Sequence, residues 1–431
     1  MKRIASALLA VILFFGLFAA GPAAAYDGGA KWVSAWSTSP VDASLSDVNV
    51  LSGVSVPVAN VSSRVILQPT MSGDQVRLVF SNEYSRYPLV ISACSVGSAV
   101  SSDRPAAASG SLHKVQFGGR SRVTIPAGGC VTSDPVSIRV EAGKPLAVTT
   151  YFFGLSAMRT IGLIGGKSYV AVGNWTGRSA MFAAQPLNIT VDSGAFDVIP
   201  SLKEVDVLTS DPDAGVCVVF GDSTVANEIP RMLAARLRQN GITNMSVTQA
   251  AIKGNRLSYD GVGELATLTG RAGIDRFSAD VLDQAGVSSV IVKIGVNDVI
   301  HPQLESKKGV APYASFEQLC ADFTTLVELA HARGVKIYFT EITPWKGYTR
   351  NLLGITGNDV AWTPEIDALR VQLNDWMRSD DCPADGVVFL PEVANPSDPA
   401  ALNADDTTDG IHFTDAGAQK VADAIPLSWF R

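Results

Sequence analysis

Near residue 210 the hydrophobic pattern of this 431-residue chain changes period, and that change restricts it to folds built from two unlike parts. From Trp32 to about Val207, short apolar runs alternate with polar residues and are interrupted by Gly, Pro and Ser. The runs are 63–67, 75–80 after Gly73-Asp74, 89–91, 121–125 before Pro126, 136–140 and 146–153. Alternation with frequent turn residues predicts antiparallel strands. Several strands at this spacing predict an all-β, sandwich-like domain.

From Gly215 onward, apolar strands alternate with helical patterns. Residues 215–220 and 288–294 read as buried strands, and 226–239 reads as a helix closed by Gly241. A second helix carries Phe316, Leu319, Cys320, Phe323, Leu326, Val327 and Ala330 on one face, with Gly334 where a C-terminal cap belongs. Strand 335–339 follows, then a helix opened by Thr363-Pro364 and carrying Ile366, Leu369, Leu373, Trp376 and Met377. Strand 387–390 and a final helix over 415–424 complete the series. Such alternation predicts an α/β architecture with a parallel sheet covered on both faces.

The chain opens Met1-Lys2-Arg3, continues with an apolar stretch from Ile4 to about Ala20 and reaches Ala23-Ala24-Ala25 before Tyr26. A cationic start, an apolar core and an Ala-x-Ala site predict a secretory signal peptide cleaved after Ala25. An uncleaved anchor is the competing reading, but the apolar core falls short of the ~20 residues needed to span a bilayer. The expected organisation is a signal peptide over 1–25, a β-sandwich-like domain over 26–210 and a catalytic domain over 211–431. The mature chain is expected to be secreted, without stable membrane insertion. A formal charge of -7, without basic runs, excludes the electrostatic footprint of a nucleic-acid binder.

Five cysteines are too few and too dispersed for a disulfide-stapled scaffold. Cys94 with Cys130 and Cys320 with Cys382 are permissible pairs in an oxidising compartment, whereas Cys217, inside an apolar strand, reads as a small buried hydrophobe. None has metal-ligand spacing, and with only four histidines a zinc site would need an unusual carboxylate-rich arrangement, so no metal is expected.

Ser223 stands just beyond a buried strand and just before a helix, the edge where open α/β sheets place their ligands. Serine there is otherwise a helix N-cap. Asp222 is expected to hold the turn, because successive turn residues point apart. A serine nucleophile needs a base. His412 has an acid three residues ahead and a loop-to-helix setting; His301, close behind Asn297-Asp298, is its rival, while His113 and His331 lie elsewhere. Asp409 can fix the imidazole tautomer, with Asp405 and Asp406 as nearby alternatives. The oxyanion of a tetrahedral intermediate needs preorganised donors. Candidates are the Ser223 N–H, the Gly254 N–H and the Asn297 side-chain amide; an ordinary turn and a satisfied loop residue are the structural readings of the last two.

Taken in order, Gly221-Asp222-Ser223-Thr224, Gly254-Asn255, Gly295-Val296-Asn297-Asp298 and Asp409-Gly410-Ile411-His412 resemble the SGNH/GDSL hydrolase family over about residues 214 to 431. The resemblance implies a three-layer α/β/α sandwich and catalysis without a cofactor. It also implies Ser223 as nucleophile, Asp409 and His412 as its partners, and Ser223, Gly254 and Asn297 as oxyanion donors. Two positions depart from the commonest forms: Thr224 replaces a frequent Ile or Leu, and Phe413 follows the histidine where Pro or Leu is frequent. Both departures are expected to touch pocket shape. The segments Trp32-Val33-Ser34-Ala35-Trp36 and Val79-Phe80-Ser81-Asn82-Glu83 are similar, more loosely, to the N-terminal region of a secreted bacterial subset.

The expected function is a secreted serine ester hydrolase acting on small-molecule or carbohydrate esters, chiefly O-acetyl groups on saccharide. One alternative is a lipase or phospholipase with an acyl groove lined by Trp345, Trp362 and Leu352-Leu353. Another is a polysaccharide-binding protein with a vestigial catalytic domain, gripping sugar through Trp32, Trp36 and Trp175.

Overall fold

A computed structural model of the chain describes residues 29–43, 57–154, 156–191, 194–226, 228–263, 266–304, 309–348 and 362–431. The expected signal peptide and Leu352-Leu353 lie outside the described residues.

Among the described residues, the β-rich part holds two principal antiparallel sheets. One runs Lys31–Ser37, Leu202–Thr209, Gly73–Ser81, Cys130–Thr132, with Val136–Val140 also paired to Gly73–Ser81. The other runs Gln185–Pro186, Gly166–Val172, Val61–Leu67, Leu146–Phe152, Ala93–Ser98, His113–Val115. In Gly73–Ser81 the alternate residues Val76, Leu78 and Phe80 are completely buried. They share one apolar cluster with Val65, Leu67, Val96, Leu146 and Val148 of the second sheet. Two inner faces thus close on one another, as alternation on both sheets requires. Arg64 is enclosed on the opposite face of the second sheet, which Ile66 and Ala147 share: Nε donates to Thr149 Oγ1 at 2.8 Å, Nη1 to the Pro105 and Ser179 carbonyls at 3.0 and 2.6 Å, and Nη2 to the Trp175 and Arg178 carbonyls at 3.2 and 2.7 Å.

The second part is built on a parallel sheet in the order Met245–Ala251, Gly215–Gly221, Val287–Lys293, Lys336–Thr340, Gly386–Val388. Gly215–Gly221 is buried at every residue, as a central parallel strand with both faces covered must be. Val216, Val218 and Phe220 face a cluster containing Leu319, Phe323 and Leu326 of helix Phe316–Ala332 and Leu373 of helix Pro364–Arg378. Cys217 and Val219 join a different cluster, with Ile229, Leu233 and Leu237 of helix Glu228–Gln239 and Ala418 and Val421 of helix Asp415–Ala424. Side-chain caps start three of these helices: Ser315, Thr363 and Thr414 accept from the N–H groups of Gln318, Ile366 and Gly417.

The two parts share a core. The larger apolar cluster continues from Val33, Ala35 and Trp36 through Phe220 and Phe277 to Phe323. Strand Met245–Ala251 would otherwise leave an open sheet edge, and the β-rich part covers it. The Val247 N–H donates to Thr70 Oγ1 at 3.1 Å, Ser37 Oγ donates to the Gln249 carbonyl at 2.8 Å, and nearby the Ser34 N–H donates to the Ala285 carbonyl at 2.7 Å. All five cysteines are free thiols, so neither permissible pair is formed. Cys94 is buried while Cys130 is exposed, and burial pushes the Cys94 and Cys217 thiols up to about 12. No helix among the described residues is long and apolar enough to cross a membrane.

Candidate active site

Strand Gly215–Gly221 delivers the serine. A Cβ at Gly221 would fall on the Lys293 carbonyl, so the strand ends there with a residue lacking a side chain. The next residue, Asp222, folds back: its Oδ1 accepts from both the N–H and the hydroxyl of Thr224, each at 2.8 Å. This local turn is one that aspartate side chains favour. Asp222 and Thr224 are buried by it, and Ser223 is left half-exposed at the sheet edge.

From the C-terminal end of the chain comes the partner. His412 Nε2 lies 2.8 Å from Ser223 Oγ, and His412 Nδ1 lies 2.7 Å from Asp409 Oδ2. Asp409 Oδ1 also accepts the N–H groups of His412 and Ile411, at 2.9 and 3.2 Å. Burial raises the Asp409 pKa, but the His412 ring and these N–H groups outweigh it and hold the carboxyl below its ordinary range. A carboxylate so held keeps the proton on Nδ1 and turns the Nε2 lone pair toward the hydroxyl. The other acids and histidines have different employment. Asp406 binds Lys420 at 2.7 Å, Asp405 is exposed, and His331 pairs with Asp385 at 2.9 Å. His113 is an exposed strand residue, and His301 is buried in the wall of the serine cleft.

Asn297 lines that same cleft. Its Nδ2 donates to the Asn255 carbonyl at 3.0 Å, which fixes the amide while leaving a second N–H. Asp298 ties the two loops together by accepting from the N–H groups of Leu257 and Ser258 at 2.7 and 3.2 Å. Burial pushes its carboxyl up to about 6, against the opposing pull of Arg256. Gly254 adjoins Asn255 in a buried turn with φ +74°, a backbone conformation suited to glycine, though it is not itself part of the cleft wall. The cleft is bounded among the described residues by Ser223, Asn297, Ile300, Leu304, Tyr348, Ile411 and the two histidines. No group of three or more metal-ligating side chains stands together among the described residues.

Sequence patterns missed two buried cations beneath this edge. Arg276 donates to Gly221, Ala250 and Asn255 at 3.0, 2.9 and 2.9 Å, and to Ser39 of the β-rich part at 3.2 Å. An arginine among Ile274, Phe277 and Val281 on short helical turns was the available signal. Lys293, at the end of its strand, donates to the hydroxyls of Thr224 and Thr343, both at 3.1 Å. Its ammonium also lies 5.6 Å from the centre of the Phe413 ring. Thr224 and Phe413 therefore meet this lysine instead of shaping the cleft, contrary to the expectation for these two departures. Trp345 is also displaced from its expected place: it is completely buried, as core. Trp36 is buried and donates to the Gly165 carbonyl at 2.6 Å, Trp32 lies under the Arg77 guanidinium, and Trp175 packs edge-on against Phe182.

Residues 219–420 match the model of the GDSL-like lipase/acylhydrolase family. No curated protein sequence matches the chain significantly. Among solved structures, the chain is similar to a GDSL-like lipase from Bacteroides thetaiotaomicron, at 17% identity over 48% of this chain and 85% of that one, TM-score 0.33. It is also similar to a variant of an acetyl-xylooligosaccharide esterase from Geobacillus, at 16% identity over 50% and 94%, TM-score 0.37. An acetyl xylan esterase matches at 17% identity over 48% and 96%, TM-score 0.32. With a serine, an asparagine and a histidine of the signature blocks facing one cleft inside the matched stretch, residues 219–420 constitute a domain of the GDSL-like lipase/acylhydrolase family, which makes this protein a carboxylic ester hydrolase.

Proposed function

We propose that the protein is a secreted serine esterase that removes short acyl groups, with O-acetylated carbohydrate as its substrate class. The observation that carries the mechanism is the line from Ser223 Oγ to His412 Nε2, 2.8 Å, and from His412 Nδ1 to Asp409 Oδ2, 2.7 Å. Ser223 attacks the ester carbonyl while His412 takes its proton and Asp409 stabilises the imidazolium. The resulting oxyanion receives the N–H groups of Ser223 and Gly254 and the second N–H of Asn297. His412 then protonates the departing alcohol, and water repeats the sequence on the acyl-serine.

The acyl-length reading is supported by the cleft. It is narrow, with Ile300, Leu304, Tyr348 and Ile411 closing on the serine. Export is supported by the charged start, apolar core and Ala23-Ala24-Ala25 site of the N-terminus. Three layers, with helices on both faces of the parallel sheet, fit the division of Gly215–Gly221 between two apolar clusters.

Hydrolysis of p-nitrophenyl acetate and decanoate by the mature chain tests the proposal, followed by acetate release from acetylated xylan, pectin and peptidoglycan. Turnover of the acetate and release from one polymer are expected. A marked preference for decanoate would turn the reading to a lipase, and inertness toward every ester would bring the polysaccharide-binding reading forward.

A further inference from the structure

The signature turn rests on a charge that the proposed chemistry does not use. Lys293 is 2% exposed and Asp222 is completely buried, one strand apart beneath Ser223. Around the ammonium stand Thr224, Thr343 and Phe413, from three separate segments of the chain. The Thr224 hydroxyl is the joint of the arrangement, because it accepts from Lys293 and donates to Asp222 Oδ1. Asp222 Oδ2 is buried without a hydrogen-bond partner, and the Lys293 charge is the strongest influence that favours the ionised carboxylate against its burial. The two residues that depart from the family's usual motif, Thr224 and Phe413, are the ones that accommodate this cation.

We propose that Lys293 is a positioning residue: clasped by Thr224, Thr343 and Phe413, it holds the Asp222–Ser223–Thr224 turn at the angle that brings the Ser223 hydroxyl to His412. Taking Ser223 as the nucleophile is the reading on which this rests. Lys293 itself is not the base, since it donates to two hydroxyls while His412 faces the serine. Burial lowers its pKa to about 8, with Asp222 opposing that shift. The charges around Asp222 are Lys293 and His412, with Arg276 and Asp298 also within its electrostatic reach. Turnover should therefore decline above about pH 8 as the ammonium loses its proton and the turn its fastening.

The experiment compares kcat and KM for p-nitrophenyl acetate, from mildly acidic to mildly alkaline pH, in wild type, K293M, K293M/D222N, T224V and K293M/T224V. The double variant K293M/D222N removes both buried charges together and guards against misfolding of K293M; melting temperature verifies that each variant is folded. The lysine-free variants should lose kcat on the order of 10-fold with KM within about two-fold of wild type, and lose the alkaline decline. The effects of K293M and T224V should not multiply, because both break one arrangement. Folded lysine-free variants with wild-type kcat and an unchanged alkaline decline would overturn the proposal, as would losses that multiply. S223A separates the two readings: wild-type turnover there removes the nucleophile assignment itself, whereas an inactive S223A beside an unaffected K293M/D222N removes only the lysine's role.

Discussion

The β-rich part and the parallel-sheet edge each enclose a cation, and they satisfy it in opposite ways. Arg64 spends every N–H on a neutral acceptor, four backbone carbonyls and the Thr149 hydroxyl, which staple residues 105 and 175–179 to the central strand. Lys293 instead meets two hydroxyls and faces a carboxylate with one unbonded oxygen. Burial lowers both pKa values, Arg64 to about 10 and Lys293 to about 8. The first remains charged throughout the range in which an esterase works, and it fastens. The second sits within reach of ordinary pH, directly under Ser223. A buried cation answered by fixed neutral dipoles serves architecture; one that faces a carboxylate in the turn carrying Ser223 would tie the proposed site to its protonation.

The largest expected effect lies at the serine. Ser223→Ala should reduce p-nitrophenyl acetate turnover by about 10⁴-fold or more, with an unchanged melting temperature. A parallel fall in both would mean that the turn is structural and would erase the contrast between the two regions. Arg64→Met is expected to do the reverse: about 3 kcal/mol of stability lost in denaturant unfolding, with kcat retained in the folded fraction. Loss of kcat in a well-folded Arg64→Met protein would show that the sandwich governs the site directly. Asn297→Ala should cost on the order of 10²-fold in kcat, a single oxyanion donor. An effect confined to KM would place the amide in ground-state binding.

The smallest expected effect is a divergence with pH. Between about pH 8 and the ordinary lysine value, the unfolded chain still holds the proton that folded Lys293 has released. Lys293's contribution to stability therefore rises with pH across that window, while turnover falls. Thermal melting beside kcat over the same window, in wild type and K293M/D222N, isolates this term by difference. Equal melting slopes in the two proteins would contradict it.

Much of this was visible in the sequence, for reasons that distinguish local from assembled features. Helix Asp415–Ala424 and the strands around 63–67 and 215–220 follow from apolar spacing alone, because burial on one or both faces dictates which residues recur. The role of Asp222 in its turn was legible because a short motif encodes short-range geometry, while Ser223 and His412, 189 residues apart, were singled out by the order of the motifs. Lys293 was not: in Val-Ile-Val-Lys-Ile it resembles a strand-end lysine reaching solvent, and its enclosure requires Thr224, Thr343 and Phe413 to converge. Arg276 was hidden likewise, since beyond its near neighbour Asp280 its acceptors are backbone carbonyls and side chains brought in from distant segments. Short strands such as Thr160–Gly162 and Ile199–Pro200 exist through pairing across distant sequence, which no local pattern records.

The hydroxyls of Thr70 and Ser37 on the Met245–Ala251 edge also govern how the molecule can be divided. A fragment beginning at residue 211 would bare that strand's N–H and C=O groups beside the flank of the common core that Val33 and Trp36 now cover. A naked edge next to an apolar strip is a template for self-association. Precipitation of such a fragment would then report a lost escort, and its inactivity would say little about acyl transfer. The N-terminal segment belongs to the enzyme's colloidal behaviour as much as to its shape.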